Sequence, residues 1–511
     1  MTAQVPSATR ESMPPVNSRP PLSTLDALEQ RLRAAAAVAL PGRAEPQSDD
    51  PGHRCAALLA DLLAACPSAA GPEHWLAWTA VAGRFARVAE VARLARTLRL
   101  DGVDPTIRML LTAVRAEADK GCLDLPMRVI TDQTVVVVDY SARHELNTGI
   151  QRVARATTTR WVDSRPIVPV AVTDEHTGLR LLHPRESARV LHYGTPWTGA
   201  PDDRSEDELV VPWRTSVVFL EVPDPWSAPS MAAMAECSGN RVGLVAYDMI
   251  PLLSADYRPR GESGIFASYL GLVKHSHRVA GISRSAADEF RGFSAMLPAQ
   301  GLAGPQVTEV ELAEEVDHSG KGRPPRAGQR PVVMATARRE PHKNLRAVLH
   351  AVERLWNEGL DFEFVMLGST GWDESAVSAW IARLTAAGRP IEALGWVPDD
   401  EMWQRIGSAS FVVFTSLHEG YGLPVAEALA CGTPVVTTRY GSQGEIAEKG
   451  GCVLVDPRDD ADITGALRTL ITQPQRVLEL RAQIAGRPRR SWDDYAADLW
   501  RYLVEDDDAQ D

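Results

Sequence analysis

Two carboxylates eight positions apart, Glu419 and Glu427, stand in the stretch SFVVFTSLHEGYGLPVAEALACGTPVVTT, residues 410–438. Acids beside a phosphate site repel the phosphate, unless their work is to accept hydrogen bonds from hydroxyls. A sugar nucleotide supplies such hydroxyls. Between the acids lie Gly420, Tyr421, Gly422 and Leu423, and the two glycines let the backbone approach a ligand closely. A second cluster is basic: ARREPHK carries Arg338, Arg339, His342 and Lys343. Lys343 is one of only five lysines in the chain, so it is less easily read as surface decoration. No HExxH or aspartate-any-aspartate string stands where a metal would be needed, and no metal ligands are expected.

The elements that must position these residues are short and apolar. Phe411 to Thr415 suits a strand buried on both faces of a parallel sheet. A glycine loop follows, then a helix over Val425 to Cys431 that Pro424 starts and Gly432 ends, then a strand over Thr433 to Thr438. Such a unit leaves backbone N–H groups and a helix dipole at the carboxyl edge of the sheet, where a diphosphate can sit. The helix buries Val425, Ala428 and Leu429, which turns Glu427 toward the crevice. Strand Val332 to Thr336 leads into the basic loop. FEFVMLGSTGW, IEALGWVPDDEMWQRIGSA and GEIAEKGGCVLVDP continue the alternation of strand and helix. Earlier in the chain VVVVDY, residues 135–140, reads as a strand, followed by a polar loop with Gly149 and a helix. RVGLVAYDMIP places Tyr247 and Asp248 at a strand end, where Asp248 is a candidate sugar-side or acceptor-side contact, or a turn residue ahead of Pro251. Ser283 and Arg284 stand at the rim of a further strand, loop and helix without an assignable role.

The frame E-G-Y-G-L-P-V-A-E-A-L-A-C-G-T-P-V-V closely resembles retaining glycosyltransferases with two Rossmann-like domains, the group-1 or family-4 type of the GT-B architecture. The resemblance implies that Glu419 contacts the transferred sugar, that Glu427 holds the ribose hydroxyls, and that residues 420–423 contact the donor phosphates. It makes Arg338 and Lys343 the phosphate-binding pair, although Thr336 and Ala337 fill places where relatives carry glycine, so Arg338 and Arg339 both stay open. Gly149, in Thr148-Gly149-Ile150-Gln151-Arg152-Val153, would face the donor phosphates, where many relatives have two adjacent glycines. The backbone of Val397, in Gly395-Trp396-Val397-Pro398, would read the nucleobase. The implied catalytic set is Glu419, Arg338, Lys343 and Asp248, while His418 receives no proton-transfer role. The implied activity is metal-independent, retaining transfer of a hexose, mannose-like among the choices, from a nucleoside diphosphate sugar to a carbohydrate or lipid-linked acceptor in bacterial polysaccharide or glycoconjugate synthesis. No cofactor beyond that donor is implied. A sugar-nucleotide epimerase or phosphorylase of the same fold, or a catalytically silent scaffold, are the competing readings.

The chain length of 511 residues allows two or three domains. The expected fold is α/β, with two Rossmann-like domains facing a cleft and a small all-helical domain ahead of them. The expected parts are a disordered N-terminus 1–21, a helical accessory domain 22–125, an acceptor domain 128–316, a linker 317–330, a nucleotide-sugar domain 331–475, a helical segment 476–504 returning to the first domain, and an acidic tail 505–511. Residues 1–125 hold none of the motif residues and are expected to lie outside the chemistry. With 44% hydrophobic residues, no apolar run of about 18 or more, and no apolar segment near the N-terminus, a cytoplasmic protein is expected. The net charge of −13 argues against nucleic acid. A local basic patch leaves open a peripheral contact with the membrane. Arg87, Arg93, Arg96, Arg99 and Arg108 in the helical part leave open docking to a partner, a second subunit or an acidic acceptor, the alternative being that this part only shields the first Rossmann-like domain. The six cysteines have no close pairing and read as reduced thiols.

Overall fold

A computed structural model describes residues 22–505 except 201, 203, 205, 206, 316–327, 373 and 374. The expected N-terminal segment, most of the linker and most of the acidic tail lie outside the described residues.

Five helices come first: Thr24–Ala39, Pro51–Ala64, Pro72–Ala82, Val88–Asp101 and Val103–Ala116. Local chemistry sets their ends. The Ser23 and Asp50 side chains accept from the backbone N–H groups of Asp26 and Gly52, and Gly83 closes the third helix in the left-handed region. Their apolar sides do not form a separate core. Leu32, Trp75, Trp78, Phe85 and Leu94 belong to the same buried cluster as Val135, Val217 and Leu244 of the sheet that follows. The fully buried Arg31 guanidinium donates to the carbonyls of Ala80, Leu123 and Leu125 at 2.8, 2.8 and 2.7 Å, tying the first helix to the chain that enters the sheet. Burial pushes its pKa down to about 10. The segment read as an accessory domain is therefore helical, but it covers one face of the first sheet.

That sheet has nine strands: β1 (Met127–Ile130), β2 (Thr134–Val137), β3 (Ile167–Val172), β4 (Leu179–Leu181), β5 (Leu209–Pro212), β6 (Ser216–Phe219), β7 (Arg241–Ala246), β8 (Arg278–Gly281) and β9 (Gln306–Glu309). Their order is β1-β5-β4-β3-β2-β6-β7-β8-β9, parallel except where β4 runs against β3 and β5. The strand expected over residues 135–140 ends at Val137, and Asp139–Arg143 is a short helix. The buried Glu221 carboxylate causes the change of course. It accepts from the N–H groups of Tyr140 and Ser141 at 2.9 and 3.1 Å and from the Ser141 hydroxyl at 2.6 Å.

The second sheet has six strands: β10 (Val332–Thr336), β11 (Glu363–Leu367), β12 (Ile391–Leu394), β13 (Phe411–Phe414), β14 (Val435–Thr438) and β15 (Cys452–Val455). All are parallel, in the order β12-β11-β10-β13-β14-β15, with Val333 opposite Phe411. This is the doubly wound arrangement, and its direction of winding reverses between β10 and β13. Ligands bind at that reversal, beyond the carboxyl ends of the strands, which is where the basic loop and the glycine loop both emerge. Val136 and Val218 of the first sheet share a buried cluster with Met334, Val412 and Tyr421 of the second domain. The last helix, Trp492–Leu503, lies back on the first domain, where Trp161 meets Trp500 edge-on at 5.2 Å and donates to the Ala496 carbonyl at 2.9 Å.

Candidate active site

A cavity of about 480 Å³ lies between the carboxyl edges of the two sheets. The first domain lines it with Gly149, Arg152 and Asp248, and the second with Arg338, Lys343, Val397, residues 419–424 and Glu427. Of the residues that the sequence resemblance gave a catalytic or donor-binding role, Arg339 is absent from the lining.

Close approach explains the glycines. A Cβ on Gly420 would come within 2.1 Å of the Tyr247 carbonyl oxygen and 3.1 Å of the Asp248 Cβ, so the first domain touches the loop where it has no side chain. Gly422 has φ +104° and caps the helix Leu423–Ala430, with Pro424 in its first turn. A Cβ on Gly149 would meet the Leu423 side chain at 2.6 Å.

The two motif acids are both neutralised. Lys343 Nζ donates to Glu419 Oε1 at 2.6 Å and lies 5.7 Å from the Phe414 ring centroid. Arg152 Nη1 donates to Glu427 Oε1 from the facing domain. The repulsion that two acids would exert on a diphosphate is thus cancelled locally by two cations. Arg152 is the residue that sequence reasoning missed as a participant. Its only signal was a cation one turn into the helix that Gly149 opens.

The two arginines of the basic loop separate. Arg338 is 61% exposed at the cavity and stands 3.3 Å from Glu340 Oε1. Arg339 turns to the neighbouring helix, its Nη1 donating to Ser378 Oγ at 3.0 Å. Arg339 is thus turned away from the cavity, and Arg338 is the arginine that lines it. Beneath the loop Gly368 has φ +141°, and a Cβ there would lie 1.9 Å from the Ala337 carbonyl oxygen.

Asp248 fills both of its candidate places. Its Oδ1 accepts from the Ile250 N–H at 3.0 Å, as a turn residue does, and it also lines the cavity. Burial, aided by nearby Glu289 and Glu419 and opposed by that N–H, pushes its pKa up to about 6. His418 does not line the cavity. Its Nε2 meets Glu289 Oε1 at 2.6 Å and its Nδ1 meets Ser254 Oγ at 2.8 Å. Buried His342 is pushed down to about 3 by burial and by Lys343 and Arg258, so it is neutral. Ser283 and Arg284, left without a role above, span the domains: the Ser283 hydroxyl donates to the Gly420 carbonyl at 2.6 Å, and Arg284 pairs with Glu448 at 2.6 Å. Trp396 is 79% exposed beside Val397 at the rim. Among the described residues no group of three or more His, Cys, Asp or Glu side chains is placed to hold a metal ion, and the six cysteines are free.

Residues 321–490 match the family model for Glycosyl transferases group 1. The matched stretch spans the C-terminal sheet domain, the one that carries the glycine loop and the basic loop. The chain is 33% identical over 156 residues to O-antigen chain mannosyltransferase B of Escherichia coli, covering 30% of this chain and 40% of that one. It is 23% identical over 336 residues to serotype-specific mannosyltransferase WbdA of Escherichia coli, covering 62% and 40%. The chain thus spans about two fifths of the length of these curated relatives. Among solved structures it is similar to sucrose-phosphate synthase from Thermosynechococcus elongatus, with TM-score 0.49 and 12% identity over 72% of this chain and 98% of that one. No helix among the described residues is long and apolar enough to cross a membrane.

Proposed function

We propose that the protein is a retaining glycosyltransferase that moves a hexose from a nucleoside diphosphate sugar to a carbohydrate or lipid-linked acceptor. The observation that carries this reading is the pairing of Glu419 with Lys343 and of Glu427 with Arg152, on either side of a glycine loop at the switch point. That arrangement offers acceptors to hydroxyls and cations to a diphosphate within one cavity. The match of residues 321–490 to the group-1 family supports it, and the mannosyltransferase names of both Escherichia coli relatives favour a mannosyl donor.

The reaction is a same-face displacement. The acceptor hydroxyl oxygen bonds to the anomeric carbon, the bond from that carbon to the phosphate oxygen breaks, and the departing phosphate oxygen takes the acceptor proton. Lys343 and Arg338 stabilise the charge that grows on the diphosphate, Glu427 holds the ribose, and Glu419 orients the sugar. The backbone at Gly149 and at residues 420–423 meets the phosphates, and Val397 meets the base.

A thermal-shift panel of UDP, GDP, ADP and dTDP with their sugars tests the reading. A ligand of the folded state at about a hundred times its dissociation constant adds roughly 2.7 kcal/mol. Stabilisation by one nucleoside diphosphate, and an acceptor product that keeps the donor's anomeric configuration, are expected. The absence of binding by every nucleotide in the panel would refute the reading.

The outward faces of the helices Val88–Asp101 and Val103–Ala116 expose Arg93, Arg96, Arg99, Leu100, Arg108 and Leu111. Exposed basic and apolar side chains on these two helices support peripheral contact with anionic lipid. Flotation with phosphatidylglycerol vesicles, weakened by salt and by Arg96→Glu with Arg99→Glu, is the expected result.

A further inference from the structure

One carboxylate of the first domain holds both lips of the cleft. Glu289 lies in the helix Arg284–Ser294. Its Oε2 accepts from the Met249 N–H at 2.6 Å, next to Asp248 in the chain. Its Oε1 meets His418 Nε2 at 2.6 Å, next to Glu419. The Ser254 hydroxyl, also of the first domain, meets the other imidazole nitrogen at 2.8 Å. One ring from the second domain is thereby gripped at both nitrogens by the first, and the Glu289 and His418 side chains are only 13% and 19% exposed. A histidine held this way has one orientation, and so does the backbone on either side of it.

Resting on the transferase reading, we propose that Glu289 and His418 are positioning residues: they clasp the cleft shut and fix the distance between Asp248 on one lip and Glu419 on the other. Neither touches the donor. They act through the Met249 N–H and through the His418–Glu419 peptide.

The clasp is sensitive to pH, and the sign follows from the groups around the ring. Burial works against the imidazolium, but the Glu289, Asp248 and Glu419 carboxylates outweigh it and raise the His418 pKa above its ordinary value. On the basic side Lys343 is engaged by Glu419, and His342 is neutral. The charged clasp is therefore present at low pH and lost as pH rises through that raised value. Asp248 supplies the opposite limb, becoming protonated as pH falls through about 6. Because the two groups interact, the two limbs belong to the pair.

The test compares full-length wild type with Glu289→Gln and His418→Gln. Three quantities are measured: the His418 ring titration by NMR, assigned from the signal missing in His418→Gln; the radius of gyration by X-ray scattering; and kcat and nucleotide affinity against pH. Glu289→Gln should lower the His418 pKa and move the alkaline limb of kcat to lower pH. Both variants should enlarge the radius of gyration. They should also lose about ten- to a hundredfold in kcat, the scale of a misplaced reacting group, with bare nucleotide affinity within about twofold of wild type. An unshifted ring titration, or an unchanged radius and kcat in both variants, overturns the proposal. If wild type transfers no sugar at all, the transferase reading fails instead, and the titration and scattering still decide the clasp.

Discussion

Replacing Lys343 with alanine removes one ammonium from two relationships, and their magnitudes can be separated. The ammonium lies 2.6 Å from Glu419 Oε1. Two unit charges at that spacing attract by about 6 kcal/mol at an effective dielectric of roughly 20. Desolvation cancels much of this, and breaking a buried pair costs about 3 to 5 kcal/mol. The two side chains are 18% and 11% exposed, so water reaches the pair and the cost to folding belongs near or below the lower end of that range. The second relationship is with the donor. A charge-assisted contact to a diphosphate contributes about 1.5 to 3 kcal/mol, which is roughly a ten- to 150-fold weaker dissociation constant. Isothermal titration of the nucleoside diphosphate into Lys343→Ala measures this loss. It does not say whether the ammonium touches phosphate or only cancels Glu419, whose bare carboxylate would repel the ligand. The double variant Lys343→Ala, Glu419→Gln decides that point, because a neutral side chain at 419 needs no counter-charge. A phosphate contact leaves the double variant weak. If its affinity instead returns to that of Glu419→Gln alone, Lys343 is a counter-ion and the phosphate role is refuted, as it is by wild-type affinity in Lys343→Ala.

Glu427→Ala should weaken binding of the bare nucleoside diphosphate, whereas Glu419→Ala should spare it and lose turnover; equal losses in titrations of both variants would defeat this division. Gly420→Ala should cut kcat more than Gly149→Ala, because its Cβ meets the Tyr247 backbone carbonyl at 2.1 Å while the other meets only the mobile end of Leu423. Equal rates in the two variants would speak against a closed cleft in turnover. A truncation that starts near Leu125 should be insoluble, because it bares the sheet face that Trp75, Trp78 and Phe85 cover; a soluble truncation that still binds donor would show that the helical segment is dispensable. Activity should survive excess chelator, and a strict need for magnesium would contradict charge stabilisation by Arg338 and Lys343.

The second sheet was legible because a parallel strand buried on both faces is a continuous apolar run, and Val332 to Thr336 and Phe411 to Phe414 are such runs. The strand-loop-helix unit around Glu419 and Glu427 was legible for a related reason, since its acids, glycines and capping proline are consecutive in the chain, whereas the roles expected of them came from the resemblance of the frame. The helical segment was only half legible. Three- and four-residue spacing marks which side of a helix is apolar, but it does not say what covers that side, and here the first sheet does. Strand β1 at the sheet edge and the antiparallel strand β4 are short, and they left no periodic signal. Arg338 and Arg339 could not be separated because adjacent residues share every local property. Their directions are set by the loop packed beneath them, where Gly368 and Gly371 touch the carbonyls of Ala337 and Arg339.

What spacing could not show at all is charge supplied across the cleft. Glu427 and Arg152 are 275 positions apart, and Glu289 and His418 are 129 apart. Yet these pairs decide how the motif acids behave. An unpaired Glu427 would meet an incoming diphosphate as a like charge, while Glu427 held by Arg152 presents a neutral pair. A carboxylate has about four lone-pair sites, so Glu427 can accept from Arg152 and still accept from hydroxyls. Arg152 belongs to the first domain, so that neutrality is supplied from across the cleft. On the proposed reading, the charge that a nucleotide meets at Glu427 is therefore set by a residue of the facing domain, and Arg152→Ala should weaken nucleoside diphosphate binding in a titration, wild-type affinity counting against it.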